Sequence, residues 1–136
     1  MNDDKKNALR YMMWAGTILS DVLGRLEQGS TAALRLTRAD LTISQAIVEI
    51  RKGASRIVVL GYVANAKNAL DTCYSFQELH PDLVRLKACL QLAVGEGLTS
   101  DTKAISDQLH REMAGAESEA EVRAACPVLM RGLAHG

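Results

Sequence analysis

Residues Ser55 to Gly95 read SRIVVLGYVANAKNALDTCYSFQELHPDLVRLKACLQLAVG, and this stretch decides the fold class. Val59, Val63, Ala66, Leu70 and Cys73 recur at alternating spacings of four and three. That rhythm keeps one apolar stripe on one face of an α-helix. Ser55 is placed to cap this helix, which is predicted to run to about Glu78, while Tyr62, Ala69 and Phe76 follow a second face at seven-residue intervals. His80-Pro81-Asp82 is the sharpest boundary, because proline at the first helical position has its φ preset and lacks a donor that is not needed there. The helix it opens carries Leu83, Leu86, Leu90 and Ala93 inward and stops at Gly95 and Gly97.

The same rhythm extends in both directions. Ala8, Met12, Ala15, Leu19, Val22 and Leu26 predict a helix from Asp3 to Gln28, with Asp3 and Asp4 at the dipole-favoured amino end and Gly29 as the stop. Leu9, Trp14, Ile18 and Leu23 lie off that stripe, so this helix is either central or touches a partner. Between 30 and 41, Thr31 to Arg38 can form a short helix; Thr42 with Gln45 then makes a capping box for the next one, burying Ile43, Ala46, Ile47 and Ile50 as far as Gly53. Beyond Gly97, Thr99 or Ser100 starts a helix with Ala104, Ile105, Leu109 and Met113 inward and Gly115 as its break. Ser118 with Glu121 starts a last helix that buries Val122, Ala125, Leu129 and Leu133 and is kinked by Pro127. The expectation is an all-α chain, a five- to six-helix bundle or stacked helical hairpins, forming a single helical domain over 1–136.

Composition agrees. Hydrophobic residues make up 48% of the 136, aromatics only 4%, and there are two prolines, so aliphatic side chains build the core and few positions forbid helix. No apolar segment follows a basic start, and the longest charge-free runs, 11–20 and 57–66, fall short of the roughly 20 residues a membrane span needs. Cys73, Cys89 and Cys126 then read as reduced, buried thiols in a cytoplasmic protein.

The chemistry of sites is thinly represented. Cys73, His80, Cys89, His110, Cys126 and His135 show no metal-ligand spacing, and no cysteine carries a nucleophile's local pattern. Gly95-Glu96-Gly97 lacks the Lys-Ser or Lys-Thr of a phosphate cradle, and Glu117, Glu119 and Glu121 sit where a helix dipole accounts for them. The reading is therefore no enzyme, no metal and no cofactor, with His110 exposed beside Arg111 and Glu112. Sixteen bases and sixteen acids cancel, yet they are unevenly placed. Ser30 to Leu70 holds six bases against two acids, a balance of plus four, and Glu96 to Glu121 holds seven acids against two bases, minus five.

Part of the opening stretch is similar to a known design. Ala69 as the small residue within a second helix, the Leu79 turn and Pro81 opening the next helix follow the order of tetratricopeptide-type helical hairpins, with Phe76 standing where those repeats carry a small residue. Leu60 to Gly95, about a quarter of the chain, resembles such repeats, and the size and low aromatic content resemble the co-chaperones of bacterial type III secretion. The resemblance implies helical hairpins that hold a helical export substrate in a groove.

The function expected from these features is a small cytoplasmic protein-interaction module, adaptor or chaperone-like. It binds a partner's amphipathic helix, or a second copy of itself, through an apolar groove. Met12, Trp14, Ile18, Tyr62 and Phe76 are the candidate contact residues, being large, flexible or aromatic. Two alternatives stand beside it. One is a transcriptional regulator with a helix-turn-helix near 42–62 that sets Arg51, Lys52 and Arg56 on phosphates, although Ile57 to Leu60 make an apolar reading helix. The other is a small inhibitor or immunity-type protein that covers a basic site with its acidic 96–121 region.

Overall fold

The computed structural model describes residues 3–95 and 100–112. Five α-helices account for nearly all of them: α1 (Asp3–Arg25), α2 (Thr31–Arg51), α3 (Arg56–Asp71), α4 (His80–Ala93) and α5 (Ser100–Glu112), with a 3₁₀ turn at Gln77–Leu79 before α4. The chain is all-α, and no strand occurs among the described residues. The helix expected from Ser118, with Pro127 and Cys126, lies outside them.

α1 sits in the middle, packed against α2 on one side and α4 on the other; α3 lies on α2 and touches α4, while α5 lies on α4. This explains the two apolar faces of α1. Met12, Ala15, Leu19 and Val22 from the main stripe are buried together with Trp14 and Ile18 from the second. Leu36 and Ile43 of α2, Leu70 of α3, and Leu83, Leu86 and Leu90 of α4 complete the centre of the core. At the α1–α4 end, the Arg25 guanidinium donates to the buried Asp82 carboxylate at 3.2 Å.

Two expected boundaries are corrected. α2 is continuous from Thr31, so Thr42 is not a cap. Gly29 adopts φ +82°, and Ser30 then caps the helix by accepting a hydrogen bond from the Ala33 amide at 3.2 Å. No proline or glycine interrupts the next twenty-one residues. The Thr42 hydroxyl instead donates to the Arg38 carbonyl one turn back, at 2.9 Å, as Thr37 does to Ala33 at 2.7 Å. α3 ends at Asp71 and not near Glu78, because the run Thr72-Cys73-Tyr74-Ser75-Phe76 is poor in helix formers. Cys73 and Phe76 close successive turns onto the carbonyls of Leu70 and Cys73 at 3.0 Å each. Phe76 therefore belongs to the α3–α4 connection.

Leu36→Ala and Leu86→Ala, both at fully buried positions, are expected to cost about 2–5 kcal/mol each. Leu41→Ala, on the opposite face of α2 and 65% exposed, is expected to change stability by about 0.5 kcal/mol or less. Urea unfolding followed by circular dichroism measures all three, and equal losses at Leu36 and Leu41 would contradict this packing.

Candidate interaction surface

The five residues nominated for partner contact do not share a surface. Met12, Trp14 and Ile18 are inside the core. Trp14 meets Tyr11 and His110 edge-on, with ring centroids 5.2 and 5.3 Å away, and its indole N–H has no hydrogen-bond partner. His110 is half-buried in this cluster, a correction to its expected exposure. Its Nδ1 lies 2.7 Å from the Ser106 carbonyl, which can only accept, so Nδ1 donates there, and in the neutral imidazole Nε2 then accepts from the Tyr11 hydroxyl at 2.8 Å. Tyr62 and Phe76 are half-buried against the core, on α3 and in the α3–α4 connection. The Arg35 guanidinium stands 5.8 Å from the Phe76 ring centre while donating to the Thr72 carbonyl at 2.7 Å, so it joins α2 to the end of α3.

The three bases nominated for phosphates cluster in sequence and diverge in role. Arg56 donates to the Val94 carbonyl at 2.6 Å, tethering the start of α3 to the end of α4. Arg51 reaches the Met13 sulfur at 3.9 Å, and Lys52 stands 4.0 Å from the Glu49 carboxylate in solvent. A cleft of about 340 Å³ opens beside this tether, between the amino end of α1, the α2–α3 turn and the end of α4. Lys5 and Arg56 border it, and Ala8, Ile50, Val59 and Leu92 supply apolar walls.

The apolar surface that does reach solvent is elsewhere. Leu34 is 62% exposed, Leu41 65% and Val48 42%, all on the outward side of α2; Ile57 (81%) and Val58 (41%) follow on the first turn of α3. Leu34, Leu41 and Val48 are spaced by seven, so each drifts only about 20° around the helix from the last. They form a single-file stripe opposite Leu36, Ile43 and Ile50. Three residues after each stripe member stand Thr37, Ser44 and Arg51, and four after stand Arg38, Gln45 and Lys52. Neither flank holds an acid. The sequence contained this signal, but splitting the segment at Thr42 separated Leu34 and Leu41 from Val48.

Other reactive groups are closed off. Cys73 and Cys89 are both buried; burial raises the thiol pKa of each, that of Cys89 to about 12, leaving both protonated near neutral pH. Among the described residues no three His, Cys, Asp or Glu side chains come together as a metal ion requires. No helix among them is long and apolar enough to cross a membrane. Comparison with protein-family models, curated proteins and solved structures found no match.

Native protein treated with iodoacetamide at pH 7.5 is expected to leave Cys73 and Cys89 unmodified while both react in urea, as read by peptide mass spectrometry; rapid native labelling of either would contradict their burial. Burial also pushes the Asp40 carboxyl above its ordinary value. The folded chain therefore holds this proton more tightly than the unfolded chain, so Asp40 favours folding at low pH and opposes it as pH rises through its raised value. Asp40→Asn should raise the melting temperature at pH 7, and the gain should shrink towards pH 3. A lower melting temperature at pH 7 would show instead that the carboxylate is held by a favourable contact.

Proposed function

We propose that this chain is a non-enzymatic protein-interaction module of the cytoplasm, which docks a helical segment of another protein on the outer face of the α2–α3 layer. One observation carries the reading. Every large hydrophobic side chain exposed on a described helix, Leu34, Leu41, Val48, Ile57 and Val58, belongs to α2 or α3. Concentration on one layer distinguishes them from the scattered apolar residues that any surface carries. The resemblance to tetratricopeptide-type co-chaperones agrees with a role in holding helices, and reduced thiols suit the cytoplasm.

The polarity of α3 favours a protein partner over DNA. A reading helix presents polar side chains to base edges in its first turn. Here that turn offers Ile57 and Val58 to solvent, and Arg56 is committed to Val94. The width of the α2 stripe favours a helix over a lipid surface. Interfacial helices bury a broad apolar face, whereas a single-file stripe at seven-residue spacing suits a helix–helix seam.

A photo-crosslinking amino acid placed at Leu41 or Ile57 in the native host should give a discrete adduct with another polypeptide, and the same group at exposed Glu78 should give none. Adducts of equal yield from all three positions, or none from Leu41 and Ile57, would remove the basis of this assignment.

A further inference from the structure

We infer that the occupant of the α2 stripe is an acidic amphipathic helix: a partner segment with apolar residues at seven-residue spacing flanked by carboxylates. The inference rests on the interaction reading above and adds the chemistry of the partner. Leu34, Leu41 and Val48 are already partly covered and offer only the rest of three aliphatic side chains for burial. That gain is small beside the freedom lost on association, so the apolar stripe alone does not hold a partner and the flanks decide what stays bound.

Those flanks carry cations and no acid of their own, with Glu49 set beside them against Gln45 and Lys52. Of the six residues beside the stripe, Arg38, Arg51 and Lys52 are cationic and Thr37, Ser44 and Gln45 are neutral. Arg38 pairs with no carboxylate among the described residues, and Lys52 keeps only its loose 4.0 Å approach to Glu49. Flanking charges on a helix seam choose the partner, since opposite signs attract across it and like signs repel. A second copy laid face to face would set this basic surface against itself. From Thr31 to Asp71 the layer holds Arg35, Arg38, Arg51, Lys52, Arg56 and Lys67 against Asp40, Glu49 and Asp71, a balance of plus three. α5, with Lys103 and Arg111 against Asp101, Asp107 and Glu112, offers no compensating acidic stripe.

The test uses full-length protein and two synthetic helices of about 21 residues, both with leucine at the seam positions. One carries glutamate on its flanks and the other lysine. Fluorescence anisotropy should show saturable binding of the glutamate helix at low salt and at least tenfold weaker binding of the lysine helix. Arg38→Glu with Lys52→Glu should reverse that preference, and Leu41→Glu should abolish binding of both, while circular dichroism shows each variant folded. Equal binding of the two helices, lost on Leu41→Glu, overturns the acidic partner and keeps the interaction face. Binding of both that survives Leu41→Glu overturns the face as well. The inference is also overturned if neither helix binds, whether sedimentation then shows a monomer or a dimer dissolved by Leu41→Glu, or if the stripe binds phosphatidylserine vesicles instead.

Discussion

Everything in this fold depends on α1 being covered on two sides at once. A helix between two neighbours must be apolar around most of its circumference, and α1 achieves this with Met12, Ala15 and Leu19 on one face and Trp14 and Ile18 on the next. The remaining helices are placed by that demand. α2 and α4 take the two sides of α1, α3 adds to α2, and α5 adds to α4. The side chains that look most like binding residues, an indole and a set of flexible or branched aliphatics, are consumed in holding the layers together.

The geometry of α2 then determines what the protein shows to its surroundings. Its inner residues Leu36, Ala39, Ile43, Ala46 and Ile50 face the core, and α1 and α3 occupy its sides. Only the outward arc is left, and there Leu34, Leu41 and Val48 stand in line. An unbroken helix is what makes them a line. Ser30 supplies the start, and the back-bonded hydroxyls of Thr37 and Thr42 satisfy themselves inside the helix without ending it.

The helical class was legible because periodicity, few prolines and a low aromatic content all point the same way. Pro81 and Gly95 marked the ends of α4 correctly, since both act through local backbone constraints. Thr42 misled because a capping box in sequence is identical to a threonine and a glutamine within a helix; a capping signal one turn or more upstream, at Ser30, had already been used. The site was legible only in part. Sequence shows how many apolar positions exceed one stripe, but not which neighbour absorbs them, so Trp14 and Leu41 look alike until the packing order is known. His110 was misplaced for the same reason: its charged sequence neighbours say nothing about Tyr11, ninety-nine residues away along the chain.

The clasp between Tyr11 and His110 has one more meaning. α5 adds Leu109 to the shared core, and its His110 reaches across to Tyr11 and Trp14 of α1. Losing that imidazole would therefore strip the Tyr11 hydroxyl of its partner and open one edge of the Trp14 indole.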